Sequence, residues 1–164
     1  MNPVLAEIFR HNRWANMMLF DACVDLSDLQ LDTPVAGTFG TIRSTLVHLV
    51  AAQGRYLVAP AGWTPNPAIT EDAPFPGFAS LREEALRTSD ALIEVAERTV
   101  ADQVLRGVRG GQPYAIPAAV FLIQAINHAT EHRAQVATIM GHLGIDAPIT
   151  DGWAYWQAGQ VTLA

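Results

Sequence analysis

The stretch Ile126-Asn127-His128-Ala129-Thr130-Glu131-His132-Arg133-Ala134-Gln135-Val136 carries two histidines four positions apart. At 3.6 residues per turn, positions i and i+4 of a helix lie about 40° apart on one face. The same helical stripe holds Phe121, Ala125, Val136 and Ile139, so both imidazoles are expected to face an apolar interior. Buried side by side, their polar nitrogens need partners, because an unpaired buried polar group is costly. A shared metal ion meets that need.

Working outward, this helix is predicted over residues 117–143. Pro117 is pre-set for a first turn and Gly144 suits a C-terminal stop. Three more segments show helical periodicity. The first covers residues 3–26, with Leu5, Ile8, Phe9, Met17, Leu19, Phe20 and Val24 at helical spacing before Asp25, Ser27 and Asp28 end the pattern. The second covers residues 41–58, with Leu46, Leu49, Val50 and Leu57 as its apolar positions. The third opens on Ser80 and Glu83, a capping-box spacing, and runs to Val100.

Residues 59–78 hold Pro60, Pro65, Pro67, Pro74 and Pro76, a density that excludes helix and central strand. Such long connections are uncommon in compact domains and are often functional. Trp63, Phe75 and Phe78 are expected to pin this one over an end of the helices. Residues 104–116, with Gly107, Gly110, Gly111 and Pro113, read as a turn or short hairpin. The fold class that follows is all-α, a four-helix bundle with a long Pro-rich loop between its second and third helices, in one domain over residues 1–164. The length of that loop leaves the connectivity open.

Composition supports this reading and excludes several functions. Half of the 164 residues are hydrophobic and 16% are charged, ample for one core and unlike a disordered chain. The net charge of −6 repels phosphate backbones, so a nucleic-acid partner is not expected. There is no basic run suited to an anionic membrane, no bilayer-length apolar run and no secretory leader pattern, so the expectation is a cytoplasmic protein. Cys23 is the sole cysteine. It rules out an intrachain disulfide or a CxxC site and reads as a core thiol.

His48 lies within an apolar run of the second helix. With His128 and His132 it makes a three-histidine set with a position left open, as in catalytic sites. Spacing alone leaves it between third ligand and ordinary packed histidine. His142, in a last helical turn, suits the helix dipole, and His11 is expected on an outer face or rim. His128-Ala-Thr-Glu131-His132 also spells the inverted zincin pattern, with Glu131 as general base. That reading needs a ligand downstream, where only Asp146 and Asp151 are acidic, and Glu131 reads better as a surface or supporting residue. A di-iron site needs Glu-x-x-His on two helices. Thr45 and Ala125 stand where those glutamates belong, which removes it.

NRWANMMLF (residues 12–20), LVHLVAAQGRYL (46–57) and INHATEHRAQVATIMGHLG (126–144), with Asp151 before the late aromatics, resemble the motifs of the DinB/YfiT-like superfamily of bacterial metalloproteins. The resemblance spans nearly the whole chain. It implies a four-helix bundle of unusual connectivity, often a homodimer, with a divalent metal at His48, His128 and His132. The metal would be zinc or nickel, with iron or manganese as alternatives. It also implies kinship with S-transferases and an isomerase that use low-molecular-weight thiols such as bacillithiol, mycothiol or glutathione, acting on small electrophiles in detoxification or stress. A metal-dependent hydrolase and a non-catalytic metal-binding bundle are the other readings. Arg133 and Gln135 match the family motif and are expected to orient ligands or a subunit interface, or to lie on the helix surface. Trp14 and Asn16 match it as well, as packing and hydrogen-bonding residues.

Overall fold

The computed structural model describes residues 2–64 and 69–160, so Pro65 and Pro67 lie outside the described residues. The chain is mostly helical, with helices α1 (Pro3–Cys23), α2 (Asp28–Leu31), α3 (Ile42–Ala61), α4 (Phe78–Arg98), α5 (Ala118–His142) and α6 (Gly152–Gln157), and strands β1 (Val104–Arg109) and β2 (Gln112–Pro117). Each of the four long helices arises where apolar periodicity was read. α1 and α3 each pack against both α4 and α5. α1 and α3, and likewise α4 and α5, therefore sit across the core from one another, while α3 and α4 are neighbours. No helix among the described residues is long and apolar enough to cross a membrane.

Local chemistry sets the boundaries, and several differ from expectation. α1 stops at Cys23, short of residue 26. Ser27 then caps α2 through a reciprocal box with Gln30, a single turn too short to show periodicity. Thr41 and Ser44 form a second capping box at the start of α3. α3 runs past Val58 and includes Pro60, contrary to the expected break. A proline this close to the end removes a single amide, and Gly62, at φ 62°, closes the helix, its N–H donating to the Val58 carbonyl and the Trp63 N–H to that of Leu57.

The capping box expected at Ser80 and Glu83 does not form. α4 begins at Phe78 after Gly77, whose φ of 86° favours glycine, and no side chain caps it. Phe78 joins the core there, edge-on to Phe75 at 5.3 Å. Residues 104–117 are an antiparallel hairpin, so the chain is not wholly α. Val104 pairs with Pro117 and Arg109 with Gln112. Gly110 and Gly111, at φ 57° and 77°, supply the left-handed pair that a two-residue turn requires. β2 leads into α5 through Pro117, and the helix begins at Ala118, one residue after the expected start.

The interior has two apolar clusters. One gathers Phe20, Cys23, Leu46, Leu49 and Ile139, with Ile69 and Phe75 of the Pro-rich connection packed on it. The other holds Phe9, Leu57, Leu92, Phe121 and Leu122, with Trp63 against it. Arg87 lies over the Trp63 ring at 4.5 Å. The three aromatic side chains expected to pin the connection therefore do so. Cys23 is buried, and burial pushes its thiol up to about 12, as a core residue should.

A buried polar network joins the four long helices. Arg133 of α5 is 6% exposed. Its Nη1 donates to Asn12 Oδ1 at 2.5 Å and Asn16 Oδ1 at 2.8 Å on α1, and its Nη2 to Thr130 Oγ1 at 3.0 Å. Asn16 Nδ2 donates to Gln53 Oε1 on α3 at 2.7 Å. Gln53 Nε2 in turn donates to Thr88 Oγ1 on α4 at 2.9 Å. Both surface and site-facing roles are excluded for Arg133 by this placement, and Asn16 has the hydrogen-bonding role expected of it. Burial lowers the Arg133 guanidinium to about 10, so it remains charged at neutral pH.

Asn16→Ala removes an acceptor from a buried cation and a donor from Gln53. Its expected cost is about 2–4 kcal/mol in urea unfolding. Arg98→Ala removes an ion pair with Glu94 whose side chains are 79% and 63% exposed, and is expected to cost less than about 1 kcal/mol. Equal costs would show that the network contributes nothing special.

Candidate metal centre

His48 comes from the second and third turns of α3, and His128 and His132 from the middle of α5. These helices pack on each other, which brings together residues 80 positions apart in sequence. His48 Nε2 lies 3.1 Å from His128 Nε2, and His132 Nε2 lies 3.2 Å from the same atom. Ligand atoms of all three residues fall within 4.8 Å of one another. All three sequence-predicted ligands therefore meet at one point. His11 and His142 do not join them. His11 binds the Thr150 carbonyl at 2.9 Å, a rim position beside the tail, and His142 is exposed at the end of α5.

The proton on each ring follows from what surrounds it. His48 Nδ1 lies 2.9 Å from Glu71 Oε1. A carboxylate can only accept, so His48 Nδ1 carries the proton. His132 Nδ1 lies 2.9 Å from Gln135 Oε1. That same oxygen accepts the Phe39 backbone N–H at 3.3 Å, while Gln135 Nε2 donates to Glu131 Oε1 at 3.4 Å. The amide orientation is thereby fixed, and His132 Nδ1 is the donor. Both rings turn bare Nε2 lone pairs inward.

Burial lowers the His128 imidazole to about 4, helped by the charges of His132, His48 and Arg55. Burial also lowers His48, opposed by its hydrogen bond to Glu71. A neutral His128 can place at most one proton between the two facing lone pairs. A single divalent ion satisfies all three. Tetrahedral zinc with Zn–N of 2.0–2.1 Å implies N···N of about 3.3 Å, close to the two spacings observed. The donor set fits a divalent metal.

Aromatic rings wall the centre. Phe39 stacks on His48 with centroids 4.2 Å apart and meets His132 edge-on at 5.2 Å. Tyr56 stands edge-on to His128 at 5.7 Å. Arg55 Nη1 donates to Glu71 Oε1 at 2.9 Å. Burial alone would raise the Glu71 carboxyl, but hydrogen bonds from its own backbone and from Arg55 outweigh this and lower it.

The DinB family model matches residues 1–161. The chain belongs to the DinB family. Its fold is also similar to the crystal structure of a DinB-like protein from Bacillus cereus ATCC 10987, with a TM-score of 0.63 and 20% identity over 85% of this chain and 90% of that one. A likeness at that identity concerns the fold alone. No curated protein matches this DinB chain.

Sequence reasoning missed Phe39, Tyr56, Arg55 and Glu71. Phe39 and Glu71 lie in connections, where no periodicity links them to a helix face. The one available signal was that an acid in a long loop merits attention. Gln135 accepts from His132 Nδ1 at 2.9 Å, the contact that the ligand-orienting expectation for it requires. Glu131 is exposed, in reach of the centre only through Gln135.

The lowered His128 sets a pH dependence for the metal-free protein. Between an unfolded value near 6.5 and a folded value of about 4, the unfolded chain binds more protons, so stability falls as pH falls. The expected loss between pH 6.5 and 5 is on the order of 2 kcal/mol. Urea unfolding of protein stripped by chelator checks this, and His128→Asn should flatten the slope. A parallel slope in that variant would rule the assignment out.

Proposed function

We propose that His48, His128 and His132 hold a divalent metal ion, zinc or nickel first, in a thiol-dependent S-transferase acting on small electrophiles in detoxification or stress. The inward convergence of three Nε2 atoms, with the protons of His48 and His132 held outward at Nδ1, carries the metal part of this reading. We read the four long helices as a four-helix bundle and the chain as a single cytoplasmic domain. We also infer that it works as a homodimer. Val4, Ile8, Val120 and Ile123 leave an apolar strip exposed along α1 and α5, the kind of surface that a second copy covers.

Mechanistically, the chain's own residues do three things. Glu71 and Gln135 hold the Nδ1 protons of His48 and His132, which leaves Nε2 of each ring as the nitrogen turned toward the centre. Phe39 and Tyr56 form apolar walls that limit water beside the histidines. With three protein ligands a position stays open. When bound, the metal supplies Lewis acidity that favours the thiolate form of a coordinating thiol at neutral pH.

The nucleophile has to come from outside the chain. Cys23 is buried with its thiol pushed up to about 12, and it is the sole cysteine. This favours an exogenous low-molecular-weight thiol. Exposed Glu131 gives the hydrolase alternative a base reachable only through Gln135, which is weaker support.

Elemental analysis of untagged protein tests the first step. About one equivalent of zinc, nickel or iron is expected in the parent, and loss of it in His128→Ala. No uptake in the parent after reloading with those ions would remove the enzyme reading. Loaded protein should then consume a model electrophile only when bacillithiol, mycothiol or glutathione is present, and Cys23→Ala should leave that rate within about twofold. Thiol-independent ester cleavage would favour a hydrolase.

A further inference from the structure

Among the described residues, the connection between α3 and α4 hydrogen-bonds to the histidines through the side chain of Glu71. Glu71 accepts from His48 Nδ1 at 2.9 Å and from Arg55 Nη1 at 2.9 Å. On either side of Glu71, Ile69 and Phe75 pack on the apolar core. The Arg43 guanidinium lies 4.7 Å from the Phe75 ring, and Arg43 also holds Asp28 and Asp32. Apolar contacts therefore flank a charged link that is itself 38% exposed. A hydrogen bond in so wet a place contributes little by itself.

A cation at the far nitrogen of the same ring changes that balance. It draws electron density from the imidazole, which makes Nδ1–H a stronger donor to the carboxylate. Coupling between two binding events is reciprocal, so whatever the metal adds to the Glu71 bond, the Glu71 bond adds to metal affinity. We propose that Glu71 is a positioning residue for the metal, and that metal binding at His48 and the seating of residues 69–77 form one coupled equilibrium. This rests on the metal reading above. Residues 69–77 of the connection lie outside the helices, and Glu71 ties them to the state of the centre.

Full-length protein with Glu71→Gln and Glu71→Ala supplies the test. The readouts are zinc affinity, by competition with a chromophoric chelator, and hydrogen exchange of the amides in residues 69–77 with and without zinc. Circular dichroism checks that both variants are folded. In the parent, zinc should slow exchange across 69–77 by about tenfold, with no change in α1. Glu71→Gln and Glu71→Ala should weaken zinc binding about 10- to 100-fold, alanine the more, and should lose most of the zinc-dependent slowing. Variants that bind zinc as tightly as the parent overturn the proposal, as does a connection whose exchange ignores zinc. A parent protein that takes up neither zinc nor nickel overturns the metal reading and this inference together. Metal uptake that is intact but indifferent to Glu71 overturns only this one.

Discussion

The guanidinium of Arg133 is the constraint on which the arrangement depends. A cation taken out of water must find acceptors or lose its place. It finds Asn12, Asn16 and Thr130. Asn16 has its own amide satisfied by Gln53, and Gln53 has its own by Thr88. Apolar packing is indifferent to small slips of one helix past another. Directional bonds in a dry interior are not. A slip of α5 by one residue would break the Arg133 contacts and also swing His128 and His132 off the face they share. Position 133 sits next to His132, so one turn of α5 sets the helix register with one side chain and aims a ligand with the other.

The centre inverts the logic of that core. In the core network Arg133, Asn16 and Gln53 find their partners within the protein, and among the described residues Trp63 Nε1 is the buried side-chain atom left without one. At the centre the outer nitrogens of His48 and His132 are paired and the inner ones are left facing that of His128, at a spacing that suits a shared ion. The partners come from unlike places. Gln135 lies on the same helix as the ligand it orients, whereas Glu71 and the Phe39 backbone come from connections. Rigid helices thus set where the ligands are, and the loops set how their rings are turned and walled.

How much of this could be read beforehand follows from length scale. The four long helices repeat an apolar stripe over several turns, and their existence was legible from periodicity. The pairing of His128 with His132 was legible because both lie on one such helix. Placing His48 beside them needed the family likeness, since no local rule joins residues 80 apart. α2 and α6 are one or two turns long and leave no stripe, though the Ser27–Gln30 box and Asp151 were visible signals of their starts. Pro60 misled because a proline's cost depends on how much helix follows it. Ser80 and Glu83 misled because burial of Phe78 and the freedom of Gly77 began α4 two residues earlier. Arg133 was expected to orient ligands or a subunit interface, or to lie on the helix surface, and not to join a core network, since a charge in sequence gives no sign of the amides waiting for it on another helix.

The burial of Cys23 has a chemical consequence for a protein read as handling electrophiles. All ten basic residues of the chain, apart from its histidines, are arginine, so it has no lysine amine. Its one thiol is shut inside. The two side chains that electrophiles alkylate most readily are thus missing or out of reach, and guanidinium groups react far more slowly than either. Under that reading such a chain is a poor target for the compounds it would process, and thiol supplied from solution would take the damage in its place.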